Sequence, residues 1–171
     1  MSAPRWLDQT EERAWRSLQQ MQMRLNAELA RDLAIHSRLS YQDYVVLVAL
    51  TARPDGEMRV CELGRDLGWE KSRVSHQVAR MTSRGLVEKR TYAEDRRGQV
   101  VLVTDQGRQE IGAAAPSHLD AVRRLFVDRL TAAQLQHVAA VSETVLATLD
   151  EAEQKRCSGH SCEASDDTTP P

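Results

Sequence analysis

Apolar residues recur along this chain with a helical period, and the longest run comes first. Ala14, Leu18, Met21, Leu25, Leu29 and Leu33 are spaced three or four apart, so they share one face of a helix spanning residues 8–34. Ser40 and Asp43 have the spacing of a capping box and open a second helix through Tyr44, Val45, Leu47, Val48 and Leu50. Arg53-Pro54-Asp55-Gly56 ends it as a turn. Val60, Leu63 and Leu67 then share a face of a short helix, and Gly68 suits the sharp turn behind it. A further stripe, Val74, Val78 and Met81, runs to Gly85, the expected left-handed cap, with Leu86 packing back on the last turn.

Beyond Gly85 the period changes. Leu86-Val87-Glu88-Lys89-Arg90-Thr91 and Gln99-Val100-Val101-Leu102-Val103 are β-prone runs, and the charged segment Tyr92 to Gly98 forms the turn between them. Thr104 and Asp105 can cap a long helix to about residue 130, with a kink or break near residues 113–115 because Pro116 lies inside it. Thr131 caps a last helix carrying Leu135, Val138, Val141, Val145 and Leu149. Composition shifts abruptly at residues 151–171, an acidic tail expected to be disordered from about residue 156.

Charge adds what the apolar pattern lacks. From Lys71 to Arg97 eight basic residues face three acidic ones, a local net of +5 in a chain whose net is −2. A basic patch on a slightly acidic protein suits a phosphate backbone. The second helix of the pair supplies candidate contacts to base edges and phosphates: Lys71, Ser72, Arg73, Ser75, His76, Gln77, Arg80 and Arg84. Arg96 and Arg97 at the ribbon tip can reach a minor groove, with Asp95 holding the turn or an arginine. Arg59, Lys89 and Arg90 are candidate phosphate contacts. A plain solvated surface is the competing reading of each group, and the run of one charge sign favours the nucleic-acid reading.

These residues resemble the MarR family of bacterial transcriptional regulators. The resemblance lies in Leu67 to Met81, in Arg84-Gly85-Leu86-Val87, in Asp95-Arg96-Arg97-Gly98 and in Val101 to Arg108. The Asp-x-Arg wing signature falls on Asp95 and Arg97. The end of the wing carries one extra residue between Leu102 and Thr104. The resemblance implies a mainly α fold with a small β-wing, a winged helix-turn-helix held in an intertwined homodimer by N- and C-terminal helices. It implies a sequence-specific regulator, read as a repressor, on a pseudo-palindromic operator in double-stranded DNA, with Arg97 as the minor-groove contact. Family members respond to small aromatic or anionic ligands held between the dimer helices and the reading unit. Trp15, His36, Arg38, Tyr41 and Tyr44 could line such a crevice here, although each has an ordinary packing or surface reading.

The expected organisation is a dimerisation region at residues 8–34 and 105–150, a DNA-binding unit at residues 40–104, and the tail. The terminal helices could instead close a monomeric core. The small central unit does not need so much extra helix, which favours pairing with a second copy. Aromatics make up 4% of the chain, so the core is expected to be Leu, Val, Ala and Met. No apolar run has the length of a membrane span and the N-terminus lacks an apolar signal core, so a cytoplasmic protein without membrane partners is expected. Three cysteines argue against a disulfide scaffold, and Cys61 is expected to be a small buried hydrophobe. Cys157, His160 and Cys162 lack a fourth ligand and a recognised zinc spacing, so no metal or cofactor is assigned. No nucleophile–base motif or phosphate loop points to an enzyme. A winged-helix module that binds another protein is the alternative to DNA binding.

Overall fold

The computed structural model describes residues 4–91 and 99–159, with side chains to residue 152. The described residues divide into two units, the first ending at Leu125 and the second beginning at Phe126. The first opens with α1, Gln9–His36. Asp8 caps it, its Oδ1 accepting from Thr10 N at 2.7 Å and Glu11 N at 2.9 Å, while Glu11 returns the bond to Asp8 N. The helix α2, Tyr41–Thr51, starts on the Ser40–Asp43 box. After the Arg53–Gly56 turn come β1, Glu57–Arg59, and α3, Val60–Leu67. Then follow α4, Lys71–Ser83, β2, Val87–Thr91, β3, Gln99–Val103, and α5, Asp105–Leu125. This is a mainly α fold with a small antiparallel sheet, a winged helix-turn-helix.

The sheet has the order β1-β3-β2, with Met58 opposite Val101 and Val87 opposite Val103. The strand β1 was not expected, since three residues are too few to display an alternation. It makes β3 the central strand, which is why Val100, Val101 and Val103 are all buried whereas β2 buries only Val87. Under the sheet, Val46, Leu47, Leu50, Leu63, Val74, Val78 and Met81 make one core with Leu33 of α1 and Ala114 of α5. Each fully buried side chain of this size contributes about 1.5–3 kcal/mol.

Glycine is required where elements meet closely. Gly85 has φ +73°, and beyond it Leu86 N donates to Met81 O at 3.0 Å, closing the end of α4 as expected. Gly107 in the first turn of α5 lies against the Leu86 carbonyl, where a Cβ would overlap the oxygen and crowd Val103. Gly107→Ala should therefore lower stability by about 1–3 kcal/mol in urea unfolding. A loss below a few tenths would mean that α5 shifts freely.

Three expectations need correction. Of the expected kink or break in α5, the break is absent: the helix is continuous through Pro116. The carbonyl that Pro116 leaves unbonded is that of Gly112, an exposed residue. It also stops at Leu125 rather than near residue 130, because Phe126 (φ −133°, ψ −65°) leaves helical geometry before a 3₁₀ turn at Val127–Arg129. Cys61 is exposed. It lies about 100° round α3 from Val60 and so off the buried stripe.

In the second unit α6 spans Ala132–Gly159, longer than expected, and includes Cys157. Thr131 caps it, with Gln134 N donating to its Oγ1 at 3.3 Å. The remaining tail, with His160 and Cys162, lies outside the described residues. Among the described residues no cluster of His, Cys, Asp and Glu could hold a metal, and no helix is long and apolar enough to cross a membrane.

Candidate nucleic-acid interface

The helix α4 divides cleanly into two faces. Val74, Gln77, Val78 and Met81 point into the core, and Lys71, Ser72, Arg73, His76 and Arg80 are exposed with Ser75 half-buried. The geometry that presents α4 begins in the turn before it. Gly68 takes φ +61°, and Trp69 N donates to Gly64 O at 2.7 Å, so the chain reverses within a few residues. Glu70 is the N-cap without a side-chain bond, and Trp69 packs partly buried against the core. The Arg73 guanidinium lies over the indole, 4.3 Å from its centroid.

One expected contact, Gln77, is corrected, and a second, Arg84, is engaged within the chain. Gln77 is 6% exposed, and its Nε2 donates to Asp43 Oδ1 at 2.6 Å. Arg84 donates from Nη1 to Asp43 Oδ2 and from Nη2 to the Arg38 carbonyl, each at 2.6 Å. Both side chains fasten α4 to the start of α2; Gln77 is turned into the core, while the Arg84 guanidinium stays 39% exposed. The signal for Gln77 was present, since it lies three residues after Val74 and four before Met81, on the apolar stripe. No comparable signal marks Asp43, which is fully buried although charged. Its carboxyl also accepts from Ser40 N at 2.9 Å. Burial alone would raise its pKa. The Ser40 backbone bond and the Arg84 guanidinium outweigh that and hold it below the ordinary 3.8.

The ribbon supplies a second surface. Lys89 and Arg90 on β2 are exposed, and Arg90 pairs with Glu88 at 3.2 Å. Arg59 is exposed at the junction of β1 and α3. Asp95, Arg96 and Arg97 lie outside the described residues. At the base of the wing, Thr104 Oγ1 donates to Gly85 O at 2.6 Å and Gln106 Nε2 to Arg84 O at 3.2 Å, tying the end of α4 to α5.

The five crevice candidates do not converge within one chain. Trp15 is exposed on α1, about 30 Å along the helix from His36. Tyr41 Oη donates to Asn26 Oδ1 of α1 at 3.3 Å. His36 and Arg38 are exposed. Tyr44 is half-buried against a residue that the sequence did not single out, His118 of α5, with ring centroids 4.3 Å apart. Asp32 of α1 belongs to the same region, paired with Arg124 at 3.2 Å and His36 at 3.4 Å. His118 Nδ1 is buried without a hydrogen-bond partner, and Asp32 Oδ2 has only its ion-pair contact with His36. Neither residue has a distinguishing sequence neighbour, because three separate helices bring this group together.

Burial lowers the His118 pKa below 6.5, opposed by the Asp32 charge, and burial raises that of the Tyr44 phenol. A histidine depressed in the folded state leaves the unfolded chain binding more protons, so its stabilising effect is present above pH 6.5 and is lost as pH falls through the folded pKa. His118→Gln should flatten the fall of Tm with pH just below 6.5. Parallel wild-type and variant curves in calorimetry would exclude this role.

Comparison with known proteins places these features in context. A family model described as the MarR family matches residues 39–98. The structure of AbsC, a MarR family transcriptional regulator from Streptomyces coelicolor, is 32% identical, with 86% of this chain and 99% of that one covered and a TM-score of 0.79. Sco3205, a MarR family transcriptional regulator of the same organism solved in complex with DNA, is 34% identical, with coverages of 85% and 91% and a TM-score of 0.79. BpsR of Bordetella bronchiseptica, whose DNA binding is regulated by 6-hydroxynicotinic acid, shares the fold at 18% identity, with coverages of 84% and 97% and a TM-score of 0.68. No curated protein matches the chain in sequence.

Proposed function

The chain belongs to the MarR family of transcriptional regulators, and from that premise we propose that it binds a pseudo-palindromic operator as a homodimer and represses transcription there. One observation carries the reading: Lys71, Arg73, His76 and Arg80 line the exposed face of α4 while its other face is packed into the core. The helix would lie in the major groove with the ribbon against the neighbouring minor groove. Arg97 is our candidate for the minor-groove contact, and Lys71, Lys89 and Arg59 for phosphate contacts. A dimer bound across promoter DNA would block access to it, which makes repression the simplest outcome.

Pairing is supported by apolar surface that each unit leaves uncovered. The stripe on α1 is buried at Leu29 and Leu33, but further toward the N-terminus Trp15, Leu18 and Met21 are 54%, 40% and 42% exposed. On α6, Val141, Val145 and Leu149 are each more than half exposed. Patches of this kind mark interaction surfaces. A second copy would cover both and set the half-sites about 34–36 Å apart. A small-molecule effector would act by binding the DNA-competent and incompetent spacings unequally. The unpartnered Nδ1 of His118, beside Tyr44, supports a place for one.

Selection of bound duplexes from a random pool tests the proposal. The expected result is an inverted repeat with that spacing, bound by a species of twice the 19.3 kDa chain mass. No enrichment and no gel shift at low salt, even with the DNA upstream of its own gene, would favour a protein-binding module instead.

A further inference from the structure

The stack of Arg73 on Trp69 has a consequence for sequence reading. Trp69 is anchored twice, by its backbone bond to Gly64 and by packing against the core, so its ring is a fixed platform. Arg73 is in the first turn of α4, exposed, and among the described residues no carboxylate is paired with it. Stacking engages the face of a guanidinium and leaves the donors at its edge free. Those donors are the ones that match O6 and N7 of guanine as a two-pronged pair. A long side chain held in one orientation before binding also loses less freedom on binding.

We infer that Trp69 is a specificity-determining positioning residue that presets Arg73 to read one guanine in each half-site. The inference rests on the DNA-binding reading above. Trp69 itself touches no base in this account, and Arg73 makes the contact. His76 and Arg80 lie one and two turns further along the same face, so the guanine belongs to the part of the half-site nearest the start of α4. Arg73 differs in this respect from Lys71 and Arg80, which have no aromatic support among the described residues.

The test is a double-mutant cycle on the duplex selected by the wild-type protein, with random duplex measured in parallel. Trp69→Leu keeps apolar packing and removes the aromatic face. It should weaken binding to the selected duplex about 3- to 10-fold and leave binding to random duplex unchanged. In the Arg73→Ala background the same change should have no further effect. Trp69→Phe should recover part of the loss, and it serves in the cycle if Trp69→Leu does not fold. Repeating the selection with Arg73→Ala should erase one guanine per half-site. An equal loss on both duplexes, an undiminished effect in the Arg73→Ala background, or an unchanged selected motif would overturn the role of Trp69. If the wild-type protein enriches no motif, the DNA-binding reading itself fails, a different result from an enriched motif indifferent to Trp69.

Discussion

Asp43→Ala should lower the unfolding free energy by about 2–4 kcal/mol, chiefly from two losses of known size. The Gln77 amide would be left in the core without its acceptor, which costs about 1–3 kcal/mol. The capping box on Ser40 would lose its return bond, worth about 1 kcal/mol. The Arg84 guanidinium would lose its partner, but its side chain is 39% exposed and water can solvate it, so the full penalty of a stranded charge does not apply. Urea unfolding should show a lower midpoint with an unchanged slope. Asp43→Asn keeps the shape and one acceptor and should fall between the wild type and Asp43→Ala.

The same carboxylate predicts the direction of acid sensitivity. Its folded pKa lies below the ordinary 3.8, so its contribution is complete above that value and is lost as pH falls through the folded pKa. The wild-type protein should therefore lose more stability than Asp43→Ala as the pH drops below 3.8. A variant that matched the wild type in both urea and acid would show that α4 is held to α2 by packing alone.

The second large effect concerns salt. Arg59, Lys71, Arg80 and Lys89 are exposed on the described part of the chain. If a dimer neutralises roughly eight phosphates, log Kd against log salt should have a slope with magnitude near 7, and affinity should drop about 10⁴-fold between roughly 50 and 200 mM salt. Fluorescence anisotropy on a labelled duplex would measure it. Lys89→Ala should reduce the slope by about 1 and weaken binding to all sequences alike. Arg84→Ala should leave the slope nearly unchanged, because that guanidinium is occupied by Asp43 and the Arg38 carbonyl. A slope near zero for the wild type would be incompatible with a phosphate-contacting surface.

Gln77 is polar by type, yet Val74 and Met81, three residues before it and four after it, place it inward. Cys61 is the converse, a residue assigned inward by type although its position lay off the stripe. In each case the helical period was the better guide. Asp32 and His118 are different, because their relation to Tyr44 depends on how α1, α2 and α5 pack, and no spacing within any one helix encodes it.

Local chemistry in the sequence was enough to determine the succession of helices and the ribbon. Capping groups at Ser40, Thr104 and Thr131, the left-handed glycines and the period of the apolar stripes act over a few residues, so they are visible in a linear text. The resemblance around Trp69 to Gly107 pointed in the same way to a DNA-binding winged helix. Only the tertiary structure decided which polar side chains at α4 stay unengaged on its surface. That choice turns on a carboxylate 34 positions before Gln77 and 41 before Arg84, and bonds between residues so far apart exist only once the helices have packed.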